Sequence, residues 1–212
     1  MRVPAIGLRT ETRLIFGPVA AAIFFVGVAC LAILIPGYSH IQQSISAIGK
    51  LGSPLRLPFA LVIASYACSL LFFASGIFRL AAKRGASKLP AYLIGYYALT
   101  QLGIAVFATP HPFHNIFGLL SMPGYLSPLV FAFTWRRAGP HSLIVISCLL
   151  GLVVLAAIVL GLSELFPQLG LWQLVSRYPG LVQRMLVAGW LPWFIAAGAI
   201  LRRQQRLDAG YR

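Results

Sequence analysis

His111-Pro112-Phe113-His114 places two imidazoles three residues apart, the tightest pair of histidines in the chain. A metal held there needs a third ligand, and His40 or Glu164 would have to bring it from another loop. Pro112 breaks the helical spacing between the rings, and Cys30, Cys68 and Cys148 all fall inside apolar runs. No metal site and no disulfide is therefore expected, and the cysteines read as small buried hydrophobes. Haem needs histidines facing one another across helices at matched depth; His40 and His114 are at similar height but on flexible loop ends, so no cofactor is expected. Acids are scarcer still. Glu11, Glu164 and Asp208 are the whole supply, which excludes a carboxylate-rich metal site or proton relay. Nucleophilic catalysis needs a Ser beside a His with a third group orienting the ring, and Ser44 or Ser46, His114 and Glu164 could be arranged so. Arg184 adds a charge that wants a partner. That partner is either Glu164, in a structural ion pair, or a lipid phosphate, with His114 helping.

The elements that position these residues are built for a bilayer. The 212 residues are 59% hydrophobic and 9% charged, with a mean hydropathy of +0.87, where a soluble domain is about a quarter charged. Six apolar runs, 14–35, 57–80, 90–108, 115–134, 143–162 and 181–201, are each long enough to cross ~30 Å of hydrocarbon at ~1.5 Å per residue. The first is longer than a signal core, and no small-x-small site follows it, so it reads as a span. The expected fold is all-α, one six-helix membrane domain over 1–212 with short interfacial helices in its outer loops.

The net charge of +14 does not point to nucleic acid, because the positive residues sit in clusters between apolar runs and form no basic face. Thirteen of the 17 Lys and Arg fall in the two tails and in the turns around 81–88 and 135–140. Lys50, Arg56, Arg177 and Arg184 are the other four. Positive residues favour the cytoplasm, so both termini are expected there, in a cell membrane. The three remaining loops then share the outer face. They bring His40, Ser46, His111, His114, Asn115, Glu164, Arg177 and Arg184 toward one polar cluster.

In the first of these loops Tyr38, Ile41, Ile45 and Ile48 recur at three- and four-residue steps, which predicts a short amphipathic helix on the membrane surface. In the third, Leu171, Trp172, Leu174, Val175 and Tyr178 form a similar face suited to the headgroup belt. No charged residue or His lies at mid-depth, which argues against a proton-driven transporter. Gln101 is the conspicuous neutral polar residue within a span and reads as an interhelical hydrogen bond. Pro123-Gly124 and Pro128 predict a kink in the fourth span, satisfied by Ser127 or a neighbour.

Three pieces in order along the chain resemble one family. They are Gly37-Tyr38-Ser39-His40 with Ser44-Ile45-Ser46-Ala47-Ile48-Gly49, then Phe107 through His114-Asn115, then Gly180-Leu181-Val182-Gln183-Arg184 with Trp193 beyond. Together they are similar to bacterial and archaeal membrane proteins catalogued as domain of unknown function 998. The resemblance implies a six-span fold and carries over to Ser46, His114 and Arg184, but implies no established activity. This chain departs from the family where an acid is usual, at Ala47 and across Ala108 to His111. The function expected is binding of a membrane lipid headgroup, or of a membrane partner or second copy, at an outer site of His114, Arg184, His40, Ser46, Glu164 and Asn115. The alternative is an enzyme acting on a lipid at the same place.

Overall fold

The computed structural model describes residues 8–210, apart from the side chains of Glu164, Leu169, Leu174 and Ala209. Among the described residues it is helical, without strands. The helices are α1 (Thr10–Ile33), α2 (Arg56–Arg84), α3 (Leu89–Val106), α4 (Pro112–Leu120), α5 (Met122–Tyr125), α6 (Ser127–Thr134), α7 (His141–Leu162), α8 (Leu171–Val175) and α9 (Pro179–Gly210). With α4 to α6 taken as one broken rod, six are long and apolar enough to cross a membrane, as the hydropathy predicts. This is a multi-pass membrane protein.

Local chemistry sets the ends of these rods. Gly85 closes α2 in the left-handed region (φ +63°), where a side chain would be strained. Pro90 stands in the first turn of α3, where its missing N–H costs nothing. Apolar residues such as Val26, Leu61, Leu99 and Val159 stay exposed along the outside, which suits a rod set in hydrocarbon.

Each span packs on the next, and α9 closes the ring against α1. At that closure a Cβ on Gly198 would collide with the Pro18 ring and the Leu14 carbonyl. Lipid tails are as apolar as the helices, so close backbone approach of this kind is a main source of cohesion. The half of the ring nearest the termini is filled by aromatics. Phe73, Phe131, Trp135, Trp193 and Phe194 are all fully buried, with Phe131 stacked on Trp135 at 4.6 Å. Trp193 donates to Ser147 Oγ at 2.7 Å and Trp135 to the Ser87 carbonyl at 2.9 Å, so neither indole N–H is stranded. Arg84–Asp208 (3.3 Å) and Arg206–Glu11 (3.7 Å) cross this end, where exposure keeps each pair's contribution small.

Several expectations need correction. The surface helix over 38–48 does not form. Turns run from Leu34 to Gln43, and only Ile45–Gly49 winds, as a 3₁₀ turn tucked against α1 and α2. Ile45 and Ile48 are buried while Ile41 is 51% exposed, so they do not share a face. The cause is local competition: Gln43 Oε1 accepts from Ser39 N–H and Ser39 Oγ from Gln42 N–H, offering the backbone an alternative to helix. The fourth span is broken into three pieces rather than kinked once. Ser121, not Ser127, answers the break by donating to the Gly118 carbonyl at 2.6 Å. Ser127 Oγ is buried with no partner among the described residues. Cys30 and Cys68 are exposed on the outside of the ring rather than buried.

Candidate functional site

The three loops that follow α1, α3 and α7 lie together at the end of the ring away from the termini, here the loop end. Beneath them the ring is hollow. A cavity of about 480 Å³ runs down from the loops, along α9 from Pro179 to Leu191, which is ~18 Å at ~1.5 Å per residue. Its walls are mostly apolar, with Phe24 of α1, Ile63 of α2, Ile158 of α7 and Leu186 of α9 among them. Its roof is the 3₁₀ turn of the first loop and the short α8, whose Trp172 and Val175 close it from above. Trp172 therefore faces the chamber, where a headgroup-belt position was expected.

One face of the broken fourth span supplies a polar stripe. His114, Gly118, Ser121 and Tyr125 follow at three- and four-residue steps, and all line the cavity. His111 starts this span by accepting the Phe113 N–H at its Nδ1 (3.2 Å), capping α4. His114 Nδ1 lies 2.8 Å from the Phe107 carbonyl. A carbonyl only accepts, so Nδ1 carries the proton and Nε2 of the neutral ring remains an acceptor.

The floor is a hydrogen-bonded row of rings that sequence reasoning missed. Trp190 Nε1 donates to Tyr66 Oη (3.1 Å), Tyr66 Oη bonds Tyr97 Oη (3.4 Å), and Tyr97 Oη bonds Tyr125 Oη (3.1 Å). The signal was available: Tyr and Trp at mid-span carry polar tips that must find partners where no water reaches. Gln101 lies one turn above Tyr97 on α3 and lines the same space. It is 5% exposed, and among the described residues its carboxamide makes no hydrogen bond. The interhelical bond expected of it is absent.

Arg184 is bonded by neutral groups of the first loop and of its own helix. Its Nη1 donates to the Gln43 and Gly180 carbonyls (3.0 Å each), and its Nη2 to Tyr38 Oη and toward His40 Nδ1 (2.9 Å each). Next to it, Gln183 Oε1 accepts the Ile45 N–H at 2.6 Å. Both residues thereby pin the first loop to the start of α9. The fit is close, because a Cβ on Gly180 would strike the His40 and Gln43 carbonyls and the guanidinium. The Glu164 side chain, expected as the ion-pair partner of Arg184, lies outside the described residues.

The site residues named from sequence thus separate. His114 and Ser46 line the chamber. Arg184 and His40 bond each other in the clamp that holds its roof. Asn115 is exposed and not part of the lining, being one helical step of ~100° round from His114. Ser46 Oγ bonds Ser44 Oγ at 3.1 Å rather than His114. No three metal-ligating side chains converge among the described residues.

The ring is not sealed at this end. The pieces α4 and α5 pack on α3, and it is mainly α6 of that span that packs on α7. Between α4 and the end of α7 the wall carries two glycines. Gly118 and Gly161 line the cavity there; a Cβ on Gly118 would meet nothing within 4 Å, and one on Gly161 only Val182 at 4.0 Å. Neither the curated proteins nor the solved structures contain a match to this chain. A family model does match it over residues 18–200, taking in all six spans and the three clustered loops, so the chain belongs to the family described as "Protein of unknown function (DUF998)".

Proposed function

We propose that this protein binds a membrane lipid in the loop-end chamber, with the lipid's polar part beside His114, Ser44 and Ser46 and its chain leaving through the wall between α4 and α7. The chamber carries this reading. At about 480 Å³ it falls in the range of small-molecule sites, it is mostly apolar with a few convergent polar groups, and two glycines stand in its wall. Arg184 and His40 serve by holding the roof. We also place the protein in the cell membrane with both termini cytoplasmic, since thirteen of its 17 Lys and Arg lie in the tails and the two turns at that end. A catalytic role would rest on a Ser–His pair, and the nearest serines bond one another.

Gly118→Phe tests the reading, because Gly118 lines the cavity and a Cβ there meets nothing within 4 Å. Protein purified in mild detergent is extracted and its lipids quantified by mass spectrometry. The wild type should carry a stoichiometric lipid, and the folded variant should carry none. Equal lipid content in the two would overturn the proposal.

A further inference from the structure

We infer that the lipid held in the chamber is uncharged and that its polar part reaches from His114 down toward Gln101 and the tyrosine row, which meet its hydroxyl or carbonyl oxygens. This rests on the reading of the chamber as a lipid site and adds the chemistry of its occupant. No Asp, Glu, Lys or Arg lines the cavity among the described residues. A phosphate brought inside would lose its water with no permanent cation to answer it, and His114 could do so only by taking up a proton. The guanidinium at the rim, Arg184, already directs four contacts to neutral acceptors of its own helix and the first loop.

What the chamber does offer is neutral hydrogen bonding below headgroup level. Gln101 stands five residues from the loop end of α3, ~7.5 Å down, and its carboxamide presents two donors and an acceptor that the described residues leave unused. The amide is reached from the chamber, and a ligand oxygen that displaces water there would take up its hydrogen bonds in a mostly apolar surrounding. The tyrosine row adds one more donor by simple count. Three hydroxyl protons serve two hydroxyl–hydroxyl bonds, so one O–H is left over whichever way the row is directed. In the direction set by the Trp190 N–H it belongs to Tyr125, which lines the cavity. His114 Nε2 supplies a further acceptor. Donors and acceptors together, with no net charge, match the hydroxyl or carbonyl of a neutral lipid.

Native mass spectrometry of the detergent-solubilised full chain, titrated with monoolein and with oleoyl lysophosphatidic acid, separates the neutral from the phosphate-bearing ligand on one acyl chain. Monoolein should bind the wild type at least about tenfold more tightly. Gln101→Leu keeps the side-chain volume and breaks no described protein hydrogen bond, so it should fold as the wild type does and weaken monoolein about three- to tenfold. Tyr125→Phe should weaken it less, because the Tyr97 proton is then released to the ligand. Unchanged monoolein binding in Gln101→Leu, or tighter binding of the lysophosphatidic acid by the wild type, would overturn the inference. If Gly118→Phe blocks monoolein while Gln101→Leu does not weaken it, the inference fails and the chamber reading stands. If Gly118→Phe leaves monoolein bound, both fall.

Discussion

Removing the Arg184 guanidinium should release the roof of the chamber without unfolding the ring. Of its four contacts, those to the Gln43 carbonyl, Tyr38 Oη and His40 Nδ1 leave α9 for the first loop. A hydrogen bond from a charged group contributes about 1.5–3 kcal/mol when buried. This guanidinium is partly exposed, so water recovers much of that loss, and we take about 2 kcal/mol for the set. The amide of Ile45 reports on the loop directly, because it donates to Gln183 Oε1. In Arg184→Leu its hydrogen exchange should accelerate about thirtyfold, the factor that ~2 kcal/mol sets for a local opening. Arg184→Lys should give an intermediate acceleration, since an ammonium is a point charge that cannot fork between carbonyl and phenol. Gly180→Ala should resemble Arg184→Leu, because its Cβ displaces the same carbonyls. Amides of α6 and of the terminal half of α7 serve as the control. Exchange within about twofold of wild type at Ile45, or an equal rise at the control amides, would refute this account of the clamp.

The tyrosine row should show graded costs. Tyr66→Phe strands the Trp190 N–H and breaks the row at its fully buried end, a loss of about 1–3 kcal/mol in detergent unfolding, whereas Tyr125→Phe removes only the last link and should cost about 1 kcal/mol or less. Equal stability of Tyr66→Phe and wild type would show that the row does not hold the floor. Orientation is open to a paired reporter fused after Arg212. Green fluorescence without alkaline phosphatase activity is expected, and the reverse pattern would place the termini outside.

The rods were legible because a bilayer leaves few alternatives: length and hydropathy locate a span whatever its neighbours do. Orientation along the rods was harder to read than their existence. Gln101 was correctly singled out as an odd polar residue, but periodicity cannot say which of its faces meets a helix and which meets a void. Arg184 was expected to meet Glu164 or a lipid phosphate because charge is visible in a sequence, whereas the carbonyls of Gln43 and Gly180 that accept from it are a property of every residue. The helix expected over 38–48 followed the spacing of its isoleucines, and side-chain-to-backbone bonds at Ser39 and Gln43 prevailed over that spacing. The tyrosine row was passed over because Tyr at mid-span reads as bulk hydrophobe until Trp190 is placed beside it.

The two halves of the ring solve one physical problem in opposite ways. Helices in lipid gain nothing from hiding apolar surface from one another, so an internal void survives only where neighbouring contacts are rigid enough to prevent collapse. Below the chamber that rigidity comes from Trp193 and Phe194 wedged against Phe73 and from close helix contacts at Gly17 and Gly198. Above it the roof is held by neutral acceptors on a single guanidinium and by one amide, bonds that open at far lower cost than an aromatic core. On the proposed lipid reading, a chamber closed by a firm floor and a lightly held roof, with two glycines in its wall, would exchange its lipid with the bilayer while the bundle itself stays assembled.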